Sequence, residues 1–257
     1  MLNFKIASLC FIIECAAIGL LYYFFGISLW WFFLPIIIFK AFIIYGAANI
    51  QSNFFIKAHC CSLTEEKIIA ISFDDGPNAE YTPKVLSTLA EYNAQATFFV
   101  IGKNISGNEA IIKKIDAAGH TLGNHTFSHS FFIDFKSKTG FMYELDATSD
   151  LVYNIINKRM KFFRPPYGVT TPNLAKATQV LNYDIIGWNI RSLDTTNDIE
   201  EKIAKRVISQ IKPGAIILFH DTSEKTIEVL KQTLNFAKDN GFKIVSIEEL
   251  IEIKAYV

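Results

Sequence analysis

Charge of either sign is not in excess in this sequence. Its 257 residues carry 25 Lys and Arg against 25 Asp and Glu. No basic patch stands out, so nucleic acid is excluded as a partner on charge grounds. Cysteine is scarce as well. Cys10 and Cys15 sit in an apolar run, and Cys60 and Cys61 are adjacent. Neither pair has the spacing of a zinc-ligand set or a disulfide scaffold. Internal repeats and low-complexity segments are also missing, apart from an apolar front.

That front is where charge is rarest. Residues 6–25 carry Glu14 as their one charged side chain, and residues 27–48 carry Lys40. Each run is about the length of one membrane-spanning helix, roughly 20 residues. Tyr22, Tyr23, Trp30 and Trp31 lie near their junction, where interfacial aromatics are expected. Gly26 and Pro35 are tolerated in such helices. Residues 1–48 therefore read as a transmembrane hairpin of two helices. A cleaved signal peptide followed by a buried helix is one alternative, and a single span with an interfacial helix is another. Glu14 inside the apolar region argues against the signal peptide. Lys5, Lys40 and Lys57 flank the hairpin, whereas its loop is uncharged. Positive residues favour the cytoplasmic side of a bacterial plasma membrane, so the following domain is expected to face the cytoplasm rather than the periplasm.

Residues 49–66 are polar and mixed and read as a linker. From 67 to 257 short apolar runs alternate with amphipathic stretches. Strands are predicted at 68–73, 96–101, 161–163, 184–188, 215–219 and 243–245. Helices are predicted at 82–93, 108–118, 141–157, 172–182, 199–211, 224–239 and 247–253. Alternation of this kind predicts one α/β domain on a parallel sheet, with close to seven units rather than the eight of a complete barrel.

Two short stretches in that domain carry chemistry. Ser72-Phe73-Asp74-Asp75-Gly76-Pro77 puts adjacent carboxylates after an apolar run, and His125-Thr126-Phe127-Ser128-His129 puts two imidazoles four residues apart. One carboxylate and two imidazoles form a facial set for a divalent metal with open positions for water and substrate. The second carboxylate is left over as a base for hydrolysis. Parallel α/β folds collect their chemistry at the carboxyl ends of strands. Arg164, Asp194 and His220 also fall at or just beyond predicted strand ends.

These residues, with Arg164-Pro165-Pro166-Tyr167, the stretch from Trp188 to Asp194, and Leu218-Phe219-His220, resemble in order the five motifs of the polysaccharide deacetylase (NodB homology, carbohydrate esterase 4) family. The resemblance covers roughly residues 67–250. It implies a distorted (β/α)7-type barrel and metal-dependent deacetylation of a glycan. It assigns Asp75, His125 and His129 to the metal, most often Zn2+, with Co2+, Ni2+ or Mn2+ as other occupants. It assigns Asp74 as general base with Arg164 as its ion partner, the Tyr167 backbone N–H to the oxyanion, and His220 as the acid, oriented by Asp194. One departure stands in the fourth motif. Many members have Asp-Trp there, whereas Asp194 is followed by Thr195. Trp188 is a candidate apolar wall for the sugar instead. Arg191, where a carboxylate is common, is a candidate contact for an anionic part of the substrate.

A catalytic domain this near a membrane suggests an N-acetylated amino sugar carried on lipid: a polyprenyl-phosphate-linked N-acetylhexosamine of lipid A or surface-glycan metabolism. Membrane lipid is then a partner. Peptidoglycan or an exported polysaccharide is the alternative substrate, with the domain outside. An inactive membrane-anchored glycan-binding module is the reading from another class.

Overall fold

The computed structural model describes residues 3–257. The apolar front forms two helices, α1 (Phe4–Phe25) and α2 (Phe33–Ala48), joined through a 3-10 turn at Leu29–Phe32. The Asn3 side chain caps α1 by accepting from the Ile6 amide at 3.1 Å. Gly26 ends it in the left-handed region (φ 64°), donating to Tyr22 O, a conformation glycine adopts without a Cβ penalty. The two apolar stretches, Phe4–Phe25 and Leu29–Ala48, have mean hydropathies of 2.0 and 1.9 and are long enough to cross a membrane. Little of either is covered by the rest of the protein, and Trp30 is 76 % exposed.

Of residues 49–66, expected as a linker, the first part is packed chain, whereas Cys61, Leu63, Glu65 and Glu66 are exposed. Ile50, Phe54 and Ala58 are buried, and β1 (Ala58–His59) joins the edge of the sheet. The buried positions 50, 54 and 58 recur every four residues, a helical rather than a strand spacing, and the apolar Phe55 and Ile56 between them blur it, so nothing signals a strand at β1.

Along the remaining chain come β2 (Ile68–Asp74), α3 (Tyr81–Glu91), β3 (Ala96–Val100), α4 (Glu109–Ala117), β4 (Thr121–Asn124), α5 (Lys138–Ile156), β5 (Phe162–Phe163), α6 (Pro172–Val180), β6 (Asp184–Ile186), β7 (Ile190–Arg191), α7 (Glu200–Ile208), β8 (Ile216–His220), α8 (Glu224–Asp239), β9 (Lys243–Val245) and α9 (Ile247–Ile251). The strands pair in the order β1-β6-β5-β4-β3-β2-β8-β7, with β9 on the early half of β2, and each of these pairs is parallel. The sheet is a curled, open half-barrel. Among the described residues its edges β1 and β7 do not pair with each other, and an antiparallel bridge between Cys61 and Ala215 ties the two sides.

Side chains along β2 alternate between two cores. Ile69, Ile71 and Phe73 join the layer beneath α3, α4, α7 and α8. Ala70 joins the barrel interior with Phe99, Phe163, Ile186 and Leu218. The period of two therefore turns Ser72 and Asp74 inward. Phe73, Phe98, Leu89 and Ile112 are fully or almost fully buried, and each such side chain contributes about 1.5–3 kcal/mol of hydrophobic stabilisation. No strand is predicted from the residue pattern at β1, β4 or β7. They have two, four and two residues, too few to show a period, and β4 contains Gly123 and Asn124, which disfavour strand.

Candidate active site

The register of the sheet assembles the site. Asp74 is opposite His220 on β8 and opposite Phe99 on β3. Val100 is opposite Asn124, and Asn124 is opposite Phe163. His125 and Arg164 therefore leave β4 and β5 side by side, and all four groups open onto the carboxyl-end face.

Arg164 is wholly buried. Its guanidinium donates to Asp74 Oδ1 and Ser72 Oγ at 2.8 Å each, to Gly187 O at 2.9 Å and to Ile186 O at 3.2 Å. The plane also lies 4.1 Å from the Phe99 ring centroid. Burial lowers the Arg164 pKa, opposed by the Asp74 carboxylate. A buried cation is tolerated only when paired and hydrogen-bonded in this way. Asp74 is fixed as the partner of a single rigid fork.

Asp75, His125 and His129 bring one carboxylate oxygen and two imidazole nitrogens within 4.8 Å of one another. His125 Nε2 and His129 Nε2 stand 3.5 and 3.4 Å from Asp75 Oδ1. That oxygen is buried and has no hydrogen-bond partner among the described residues. A buried acceptor left unpaired among nitrogen donors fits a divalent ion at the centre of the three. Burial pushes the Asp75 carboxyl up, but the imidazoles of His125, His220 and His129 outweigh it and hold the group well below the usual carboxylate range. Burial, then the His125 charge, lowers the His129 pKa, which favours the neutral imidazole a metal needs. His125 Nδ1 faces Arg164 O at 2.7 Å, a partner that orients the ring and fixes its tautomer.

The histidines sit on a loop after β4, not on a helix face. Thr126 and His129 have positive φ (67° and 45°). The loop is held by Glu144 of α5, which is buried and accepts from the Phe127 amide (3.0 Å), the Ser128 amide (2.7 Å) and the Ser128 hydroxyl (2.9 Å). Asn124 adds a bond from the Thr126 amide at 2.9 Å. Asp75 also has positive φ (75°), and Asn104 donates to its carbonyl at 2.9 Å.

Across the site, His220 Nδ1 faces Asp194 Oδ1 at 2.8 Å. Asp194 accepts further bonds from the His220 amide, the Thr226 hydroxyl and the Ser192 hydroxyl at 2.8–2.9 Å. Burial lowers the His220 pKa. Asp194, helped by Asp74 and Asp75, overrides it and pushes the imidazole up to about 9. Burial raises the Asp194 carboxyl, and the bonds and charge of His220 bring it below its ordinary value. The pair stands as imidazolium and carboxylate at neutral pH.

The rim is a turn in which Tyr167 and Gly168 both have positive φ (59° and 72°). The Tyr167 ring is 4.8 Å from His129. Trp188, expected as a wall of the sugar groove, is only 8 % exposed. Its Cη2 would be 2.5 Å from a Cβ on Gly168, so it braces the rim turn from below. Arg191 is exposed on β7, with its guanidinium 5.7 Å from the Trp188 ring. Among the described residues no ion pair joins Arg191 to the carboxylate–imidazole cluster.

Sequence reasoning missed Glu144 and Asp221. Asp221 is buried, and its Oδ1 has no hydrogen-bond partner among the described residues. The Thr82 hydroxyl donates to Oδ2. Burial pushes its carboxyl up to about 7. It lies under Gly76, where a Cβ would be 2.5 Å from Asp221 Oδ2. Its adjacency to His220 was the available signal. His120, just after the end of α4, is buried. Burial lowers its pKa to about 4, and Nδ1 accepts from the Ala96 amide at 3.2 Å.

Comparisons with known proteins agree with this geometry. Residues 62–186 match the family model described as polysaccharide deacetylase. A peptidoglycan-N-acetylglucosamine deacetylase of Bacillus cereus is 33 % identical over 204 residues, covering 74 % of this chain and 90 % of the relative. The peptidoglycan-N-acetylmuramic acid deacetylase PdaA of Bacillus subtilis is 35 % identical over 194 residues, 73 % of each chain. The crystal structure of the Bc1960 peptidoglycan N-acetylglucosamine deacetylase superposes with a TM-score of 0.73 at 28 % identity, covering 76 % of this chain and 93 % of that one.

Proposed function

We propose that the chain, which belongs to the polysaccharide deacetylase family and is a hydrolase of N-acetyl amides, removes acetyl groups from the N-acetylhexosamines of peptidoglycan. The relatives act on that polymer by name, which favours it over the lipid-linked sugar expected from the apolar front. The observation that carries the chemistry is the grouping of Asp75, His125 and His129 within 4.8 Å, between an Arg164-held Asp74 and an Asp194-held His220.

Asp75, His125 and His129 hold the divalent ion, and Zn2+ suits their one oxygen and two nitrogens. When bound, such an ion polarises an acyl carbonyl and acidifies water. Asp74, fixed by Arg164 at 2.8 Å, takes the proton from the attacking water. The Tyr167 backbone N–H, presented by the rim turn, donates to the oxygen that gains charge. His220 gives its proton to the leaving nitrogen, since an amide leaves poorly until that nitrogen is protonated. Asp194 holds the imidazole oriented and charged. Asp74 and His220 stand side by side, in register on the neighbouring strands β2 and β8, so base and acid both reach the same carboxyl-end mouth.

The helices α1 and α2 anchor the domain in the plasma membrane. A peptidoglycan substrate places the domain on the outer side, opposite to the side the three flanking lysines favour. Those lysines are few, and Lys40 lies within α2, so the substrate argument outweighs them. The experiment is incubation of the full chain, loaded with Zn2+, with N-acetylated peptidoglycan. Free acetate and amine-bearing muropeptides by mass spectrometry are expected. Acetate from soluble chitooligosaccharides but none from peptidoglycan would overturn the substrate and leave the reaction standing.

A further inference from the structure

The base of the hairpin is fixed to the rim of the site. Thr170, three residues beyond Tyr167, donates from its amide to Ala47 O at 3.0 Å and from its hydroxyl to Gly46 O at 3.2 Å. Gly46 lies so close to Phe54 that a Cβ would be 2.2 Å from the ring. Ile50 is buried beside Gly187, just after β6. The carboxyl end of α2 thus meets the carboxyl-end face of the sheet, the face that carries the carboxylates and imidazoles. With the hairpin in a bilayer, the anchoring proposed above and the premise of this inference, that face stands at the membrane surface.

The same rim holds three phenylalanines out in solvent. Phe131 is 77 % exposed, Phe132 68 % and Phe135 86 %. The Phe131 ring is 6.5 Å from Tyr167. Their loop is rigidly held. Ile133 is fully buried beneath it, Lys136 pairs with Glu144 at 3.1 Å, and the Asn173 side-chain amide donates to Lys136 O at 3.2 Å. Rings presented this way have no intramolecular cover, and an exposed apolar patch marks an interaction surface. Phe131 and Phe132 stand at 86° to each other, so the two rings do not form one continuous flat surface. Neither has a polar atom to direct hydrogen bonding. Rings of this kind partition into the boundary between headgroups and acyl chains.

We propose that Phe131, Phe132 and Phe135 insert into the bilayer interface and seat the mouth of the site on the membrane. The site then takes amino sugars held against the membrane in preference to the same sugars free in solution. The test uses the full chain in vesicles of phosphatidylethanolamine and phosphatidylglycerol, with lipids brominated in the upper acyl chain. A Phe135→Trp reporter is placed in a Trp30→Phe, Trp31→Phe background, where Trp188 gives the reference emission. Quenching of the new emission is expected. Equal emission in brominated and plain vesicles would overturn the proposal. Trp30 and Trp31 of the unaltered chain report on the hairpin in the same vesicles. If they too escape quenching, the membrane anchoring itself fails. If they are quenched while the Phe135→Trp reporter is not, only the seating fails. A Phe132→Ser, Phe135→Ser chain gives a second readout. Its turnover of soluble chitotetraose is expected to match the unaltered chain. Its turnover of N-acetylated peptidoglycan strands tethered to the vesicle surface by a lipid anchor is expected to fall roughly tenfold, about 1.4 kcal/mol of lost anchoring. Equal turnover on both substrates, or an equal loss on both, would overturn it.

Discussion

Replacing Asp194 by Asn separates the charge of the acid from its geometry. Asn is nearly isosteric, and its oxygen can still accept from His220 Nδ1. The same oxygen keeps the Ser192 hydroxyl, but the amide nitrogen that replaces Oδ2 cannot accept from the His220 amide and the Thr226 hydroxyl as the carboxylate does, and the side chain carries no charge. Burial is the largest influence on His220 and acts downward. With Asp194 gone, the pKa drops from about 9 to about 6.5 or below, a change worth roughly 3 kcal/mol at 1.36 kcal/mol per unit. A general acid must be protonated to act, so the basic limb of the rate profile moves acidward by at least about two pH units. At pH 8 only about 3 % of the imidazole remains charged, and kcat falls about 30-fold. Stability follows the same sign. The pair's contribution is fully present below the unfolded value near 6.5 and is lost as pH rises through about 9. The difference in melting temperature between the unaltered and Asp194→Asn chains is therefore largest near pH 6 and shrinks above pH 9. Acetate release between pH 5 and 10, with thermal denaturation alongside, measures both. A basic limb that stays near pH 9 in the variant would refute the assignment of His220 as the acid held charged by Asp194.

Other perturbations test other parts of the site. Arg164→Met leaves the Asp74 carboxylate buried without its partner. It costs about 3–5 kcal/mol, a fall on the order of 10 °C in melting temperature for a domain of this size; a shift of only a degree or two contradicts the buried pair. Gly168→Ala puts a Cβ where Trp188 Cη2 is 2.5 Å away, at a φ of +72°. The rim turn must shift, so kcat drops more than KM rises, and adding Trp188→Phe restores part of the loss. Glu144→Gln weakens the grip on the Phe127 and Ser128 amides and reduces Zn2+ affinity about 10–100-fold by calorimetry, the effect of losing support to a ligand; unchanged affinity would show that Glu144 does not position His129.

Much of this was legible in the sequence because the signals were local. The run before Asp74, the spacing of His125 and His129, and the amphipathic period of α8 each lie within a few residues. The strand predicted at 215–219 and the observed β8 differ by one residue at each end. What was hidden depends on residues far apart in the chain. β4 is too short to announce itself, although its register with β3 and β5 is what delivers His125 beside Arg164. Glu144 and Asp221 read as ordinary acidic residues until the fold buries them. Trp188 reads equally as groove wall or core. Only the close approach of Gly168 decides that it is a brace. The order in residues 49–66 comes from pairing with β6 and packing on Gly46 and Gly187, partners no window of sequence contains.

The account depends most on three side chains sharing one divalent ion while Asp74 stays outside that set. Zinc content after dialysis of the full chain, compared with His125→Ala and Asp74→Asn, tests this directly. The account predicts one bound ion in the unaltered chain, one in Asp74→Asn despite its lost turnover, and none in His125→Ala. An ion retained by His125→Ala, or lost from Asp74→Asn, would contradict it.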